Sequence, residues 1–180
     1  TTDGIGTAAR FFGSRGMAAD GIGNLYIADR GNNTIRKIVV ATGAVTTLAG
    51  SPGVSGSTDG AGSVARFSSP SGLSFDVGSN LFVTDGSGTI RKIVAATGVV
   101  ATLAGTAGTT GSADGVGAAA RFLGPLGIVS DGVGNLYVSE NSIIRKVVIS
   151  TAAVTTIAGK AANRGSTDGI GAMARFSSPF

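Results

Sequence analysis

Asp114-Gly-Val-Gly-Ala-Ala-Ala-Arg121-Phe122 is one of four near-copies of a single phrase, DGxGxxARF. The copies begin at Asp3, Asp59, Asp114 and Asp168, at intervals of 56, 55 and 54 residues. A fixed period of that length marks a repeat architecture. Each complete unit is then one supersecondary element, and the residues between phrases identify it.

After each of the first three phrases come four short apolar stretches separated by turn residues, and they predict strands a to d. In the first unit strand a covers 16–19, b is Leu25-Tyr-Ile-Ala-Asp29, c is Ile35-Arg-Lys-Ile-Val-Val40 and d is Val45-Thr-Thr-Leu-Ala49. Their β-branched and aromatic content favours strands, and five residues are too few for a stable helix. The turn Asp20-Gly-Ile-Gly-Asn24 supplies the Gly and Asn that a tight reversal needs. The second and third units repeat the pattern, as in Asn80-Leu-Phe-Val-Thr84 and Asn135-Leu-Tyr-Val-Ser139.

Four-stranded meanders at this period predict blades of a β-propeller, a ring of 4–8 blades. A β-helix repeat is far shorter, and an α-solenoid needs a helical period that glycines at this density break. The expected fold is all-β: one propeller segment over residues 1–180 with three complete four-stranded antiparallel blades. These fall at about 15–50, 71–105 and 126–159, joined by connections 1–14, 51–70, 106–125 and 160–180. Three blades leave two raw sheet edges. Either further blades of the same chain or a second copy must complete the ring, and two copies would make six blades. The chain begins without Met inside one phrase and stops after another, as a piece of a longer array would.

Length drift is confined to one place. From the phrase aspartate to the aspartate ending strand a is 17 residues in every unit, and from there to the acid ending strand b is 9. From the strand c arginine to the glycine ending d is 14 each time. Only the b–c turn varies, reading Arg-Gly-Asn-Asn-Thr, Gly-Ser-Gly-Thr and Asn-Ser-Ile. In an up-and-down blade that turn shares a face with the d–a connections, and length variation there suits recognition.

The charge is as periodic as the glycine. Of 14 basic residues, four are the phrase arginines Arg10, Arg66, Arg121 and Arg175, and six form the pairs Arg36-Lys37, Arg91-Lys92 and Arg145-Lys146. Only Arg15, Arg30, Lys160 and Arg164 lie outside these columns. All ten acids fall in three columns: the phrase aspartates; Asp20, Asp76 and Asp131; then Asp29, Asp85 and Glu140. Periodic charge serves the repeat unit. The third acid column recurs with the strand c arginine, which predicts the pairs Asp29 with Arg36, Asp85 with Arg91 and Glu140 with Arg145. The invariant length of the phrase predicts that Phe11, Phe67, Phe122 and Phe176 are buried at blade junctions, with the adjacent arginine bound to backbone or Asp acceptors.

These counts exclude much chemistry. There is no histidine, the commonest general base and metal ligand, and no cysteine for disulfides or thiolates. No apolar run reaches the roughly 20 residues of a membrane helix. A net charge of +4 is too dispersed for a nucleic-acid footprint, and there is no Trp. The column Tyr26, Phe82, Tyr137 reads as packing between blades rather than as base stacking. The G-x-G of the phrase lacks the Lys and strand-to-helix setting of a phosphate loop. Asp20, Asp76 and Asp131 could ring the channel mouth and hold a cation through oxygen, or each could cap its own turn ahead of Gly; capping is the stronger reading.

Pro125-Leu-Gly127-Ile, Asn135-Leu-Tyr-Val138, Ile35-Arg-Lys-Ile38 and Val45-Thr-Thr-Leu-Ala-Gly50 together resemble the repeats of NHL propellers. The DGxGxxARFxxP connection is similar to that of a longer-linker subgroup found in bacterial surface and secreted proteins. The resemblance covers nearly the whole chain and departs in the column Ser14, Pro70, Pro125, Pro179 and in the freely varying column Arg15, Ser71, Leu126, Phe180. It implies an extracellular or cell-surface protein from a family that includes binding modules, RNA-binding domains and a few metal-dependent lyases or lactonases. The expected function is a non-enzymatic interaction or scaffold module with no cofactor, catalytic residue or metal. Its protein or glycan partner would meet Arg15, Arg30, Asn32, Asn33, Ser71, Ser87, Leu126, Asn141 and Ser142. The alternatives are a self-assembling structural repeat, and a fragment of a lyase or lactonase whose catalytic residues lie elsewhere.

Overall fold

The computed structural model describes residues 1–179; Phe180, last of the column that begins at Arg15, lies outside them. The fold is all-β, with three antiparallel sheets of five strands each rather than four. The first sheet holds β1 (Gly4–Ile5), β2 (Met17–Ala19), β3 (Asn24–Asp29), β4 (Thr34–Val39) and β5 (Ala44–Gly50). The second holds β6 (Gly60–Ala61), β7 (Leu73–Phe75), β8 (Asn80–Asp85), β9 (Thr89–Val94) and β10 (Val99–Gly105). The third holds β11 (Gly115–Val116), β12 (Ile128–Ser130), β13 (Asn135–Ser139), β14 (Ile143–Val148) and β15 (Ala153–Gly159).

The extra strand in each sheet comes from the phrase. Strand d would otherwise be a bare edge with unpaired amides and carbonyls. The phrase covers part of it, with Gly4 opposite Val45 and Ile5 opposite Ala44, and the later units match. A 3₁₀ turn over Gly6–Ala8 follows, tied to the c–d turn by Gly6 N–H donating to Gly43 O at 2.9 Å. The chain then doubles back, and Arg10 N–H donates to Thr2 O at 3.1 Å. Each of the first three phrases is therefore a small hairpin laid along the outer edge of its own blade.

Its 3₁₀ turn also packs on strand d of the blade before it: 62–64 on β5, 117–119 on β10 and 171–173 on β15. This dual contact joins neighbouring blades. The core accordingly lies between sheets. One cluster gathers Tyr26, Ile35 and Ala49 with Phe67, Leu73 and Leu81 of the next blade, and a second gathers Phe82 and Ile90 with Phe122, Leu136 and Val154.

At the centre the innermost strand β7 adjoins both β2 and β12. Gly16 N–H donates to Ser71 O at 2.8 Å, and a Cβ on Gly72 would collide with the Leu126 carbonyl oxygen. That approach explains the glycine at the head of strand a. The Thr84 hydroxyl bridges the second junction, accepting from Gly72 N–H and donating to Leu126 O, both at 2.7 Å.

Candidate functional site

Each blade encloses its strand c arginine in a set of hydrogen bonds and ion pairs. Strand c lies mid-sheet between the junction cores, so the side chains of Arg36, Arg91 and Arg145 are sealed from solvent. A buried guanidinium needs carboxylates and carbonyls around it. Arg36 meets Asp29 Oδ2 at 3.0 Å and Asp3 Oδ1 at 2.7 Å, and donates to the carbonyls of Arg10 and Thr2 at 3.0 Å each. Its guanidinium lies 5.0 Å above the Phe11 ring. Arg145 repeats the set with Glu140 at 2.8 Å, Asp114 at 2.9 Å and the ring of Phe122.

In the second blade Arg91 meets Asp59 at 2.6 Å, while Asp85 stands back at 3.6 Å. Asp85 instead accepts the backbone amides of Ser68 and Ser87 at 3.0 Å each. The expected pairing of the strand b acid with the strand c arginine is thus present in all three blades, and in each both partners are buried. Spacing alone missed the phrase aspartate, which closes the node from the far end of the unit. The signal for it was available, since phrase aspartates and strand c arginines recur together.

The phrase aspartate has a second partner in strand d. The β4–β5 register skips Leu48, and Thr47 beside this bulge donates its amide and hydroxyl to Asp3 at 3.0 and 2.9 Å. Asp59 binds Thr102 at the bulge of β10 in the same way. Although burial pushes Asp59 up, the Thr102 amide and the Arg91 guanidinium outweigh it and hold the carboxyl below the ordinary aspartate range. Fully enclosed Asp85 shows the reverse, with burial pushing its pKa to about 6.

The phrase phenylalanines follow the blades present. Phe67 and Phe122, each between two blades, are fully buried. Among the described residues no blade precedes Phe11, which is 39% exposed, contrary to expectation, and none follows Phe176, which is half-buried. The phrase arginines bind backbone rather than Asp: Arg66 donates to the carbonyls of Ser63, Val64 and Ala65, and Arg121 to Ala120 O at 2.7 Å. Arg10 and Arg175 do the same in their phrases. Among the described residues Asp168 makes no ion pair of the kind that Asp3, Asp59 and Asp114 make with Arg36, Arg91 and Arg145.

On the expected interaction surface the structure makes several corrections. Asn32, Ser71 and Ser142 are buried. The Asn32 amide donates to Asp29 at 2.8 Å and the Ser142 hydroxyl to Lys160 O at 3.1 Å. Asn33 sits in the left-handed region at φ 56° and accepts from Ser69 N–H, while the Ser87 and Thr89 hydroxyls pair at 3.0 Å. Half-buried Leu126 and Asn141 lend their carbonyls to Thr84 and Ser178. Arg15 and Arg30 are exposed. The turn is variable in length, yet part of it is turned inward, where the Asn32 side chain and the Ser87 backbone amide donate to the buried acids Asp29 and Asp85.

The d–a loops sit on these turns, with Gly53 N–H donating to Asn32 O and Gly108 N–H to Ser87 O, both at 3.0 Å. One face therefore carries the variable turns together with the d–a loops. On the opposite face Asp20, Asp76 and Asp131 each cap their own turn. Asp20 accepts from Ile22 N–H, Asn24 N–H and the Asn24 amide, and Asp131 from the equivalent Val133 and Asn135 groups. Asp76 accepts from Asn80 at 2.8 and 2.9 Å. The asparagine expected in the tight reversal, four residues on in every unit, is the capping partner. A cleft of about 460 Å³ lies between the first two blades on this face, lined by Asp20, Tyr26, Lys37, Phe75 and Asp76. No group of three or more acids converges as a metal site among the described residues.

No family model matches the chain, and no curated protein matches it. Solved structures do. A structural genomics protein of unknown function from Bacteroides thetaiotaomicron is 28% identical, with a TM-score of 0.61 over 73% of this chain and 31% of its own. An auxiliary nutrient binding protein from the same organism is 19% identical, with a TM-score of 0.71 over 92% of this chain and 41% of its own. A gluconolactonase from Xanthomonas campestris is 12% identical, with a TM-score of 0.61 over 87% of this chain and 50% of its own. The chain thus spans half or less of each of these three structures. The architecture they share with it is that of the β-propeller, of which this chain forms three blades.

Proposed function

We propose that the chain is an NHL-type propeller segment serving as a non-enzymatic interaction or scaffold module of an extracellular or cell-surface protein. One observation carries this reading: nine of the ten acids are bound into arginine nodes or turn caps. Recurring carboxylates so engaged hold the repeat together and leave no pair free for acid–base work. The gluconolactonase likeness, at 12% identity, reaches only the fold.

The surface that varies from unit to unit is the face of b–c turns and d–a loops. Its accessible part comprises Arg15, Arg30, exposed Phe12 and the loop tips at Val54, Thr109 and Asn163. A protein or glycan is the partner class that such a face suits. Ring completion falls to further blades of the same chain or to a second copy. The test is a glycan and extracellular-protein array probed with the chain and with a variant carrying Arg15→Ser, Arg30→Ser and Gly-Ser loops at 52–54 and 107–110. Binding lost in the variant supports the reading. Binding that survives these changes, or turnover of a bound glycan, sinks it.

A further inference from the structure

The fourth phrase is built for a blade other than the three described. Its 3₁₀ turn already packs on β15, as the inner phrases pack on the blade before them. Its strand segment pairs with nothing: no strand forms in it among the described residues, and Ile170 is 89% exposed. Half a joint is assembled here.

The other half is present at the opposite end of the chain. Thr167-Asp-Gly-Ile-Gly171 repeats Thr2-Asp-Gly-Ile-Gly6 residue for residue, whereas the inner phrases read Thr-Asp-Gly-Ala-Gly and Ala-Asp-Gly-Val-Gly. The first phrase occupies the edge of β5 without a preceding blade to pack its 3₁₀ turn against, and Phe11 is left partly exposed. The sheet faces match as well. Met17 of β2 stands in the column of Leu73 and Ile128, which pack into the two junction cores, yet it is 59% exposed. The outer face of the third blade carries an apolar hollow of about 360 Å³ around Val129, Tyr137 and Ile144.

We propose that the fourth phrase docks as the edge strand on β5 of a second copy, displacing that copy's first phrase and completing a blade junction. Asp168 takes the place of Asp3 against Arg36 and Thr47, Phe176 is enclosed between two blades, and Met17 enters the hollow. The exchange replaces like hydrogen bonds with like and adds the apolar burial that an unaccompanied first phrase cannot make. The inference rests on reading the chain as a propeller segment; it does not depend on what the loop face binds.

Because the chain has no cysteine, a paired Ile170→Cys and Ala44→Cys variant reports the contact directly. Ile5 faces Ala44 within one copy, so Ile170 faces it across copies after exchange. The full chain is expected to sediment at twice its monomer mass, and the double variant to give a covalent dimer on oxidation. Asp168→Ala, which removes a group outside the monomer's arginine nodes, is expected to weaken the dimer at least about tenfold without changing the monomer's circular dichroism. A folded monomer at all concentrations, a dimer without the cross-link, or a dimer indifferent to Asp168→Ala would each overturn the proposal. A chain that neither folds cooperatively nor shows β circular dichroism would instead overturn the propeller reading beneath it.

Discussion

Asp3 and Arg36 are 33 residues apart in the chain, and their side chains meet at 2.7 Å. The same relation joins Asp59 to Arg91 and Asp114 to Arg145. In each, the arginine is wholly buried while the phrase aspartate is half exposed. The outermost segment of every unit is thereby pinned to the middle of its sheet. The strand b acid and the phrase phenylalanine complete the enclosure.

Removing the centre of a node leaves its buried acid without a cation. Arg91→Ala is expected to destabilise the protein by about 3–5 kcal/mol, the cost of stranding a buried charge. Asp59→Ala loses hydrogen bonds at a half-exposed site and costs about 1–2 kcal/mol. The double variant should cost less than the two added together, because both remove one interaction. Urea unfolding of the four proteins measures this, and strict additivity would contradict the node.

The acids of a node titrate in opposite directions. Asp3, Asp59 and Asp114 are pulled down because hydrogen bonds and arginine charge outweigh the upward push of burial. Their stabilisation is complete above the unfolded pKa, near 4, and is lost as pH falls through the lower folded values. Asp85 is pushed by burial from 3.8 to about 6, and Glu140 is raised for the same reason. Between about pH 4 and 6 the folded form holds more protons at Asp85, so stability declines as pH rises through that window. Asp85→Asn should therefore gain on the parent between pH 4.5 and 7. An unchanging gap between the two denaturation midpoints would show that Asp85 does not titrate there.

Much of this was legible from the columns. Strand b was read at 25–29 and lies at Asn24–Asp29; strand d was read at 45–49 and lies at Ala44–Gly50. Period-locked glycines and apolar pairs leave little room for error. What escaped was the strand within the phrase, because Gly4–Ile5 has no strand composition and pairs only because β5 offers an edge. The inward aim of Asn32 and Ser142 escaped for a related reason. Drift in loop length shows that the backbone can change, but it says nothing of where a polar side chain points when a buried acid lies below.

Close approach at the centre makes a sharp test of the blade order. Gly72→Ala would drive a methyl into the Leu126 carbonyl of the next blade and is expected to cost about 2–3 kcal/mol or more. Thr84→Val keeps the shape but orphans Gly72 N–H and Leu126 O, for about 1–3 kcal/mol. Thermal melts should rank both well below the parent. Parent-like stability for both would mean that β7 and β12 are not neighbours.

The last prediction separates a joint from a mere hydrophobic position, since Phe11 and Phe67 share a column, a phrase and a stacked arginine. Phe67 lies between two blades and is fully buried, whereas Phe11 has a blade on one side only and is 39% exposed. Phe67→Ala opens a cavity in the first junction core and is expected to cost about 3–5 kcal/mol. Phe11→Ala leaves a site that water already reaches and should cost under about 1.5 kcal/mol, mostly from the lost contact with Arg36. Equal losses in denaturant midpoint would mean that the phenylalanine serves only its own blade. A large difference assigns the excess to the neighbouring blade, because that blade is the element the two environments do not share.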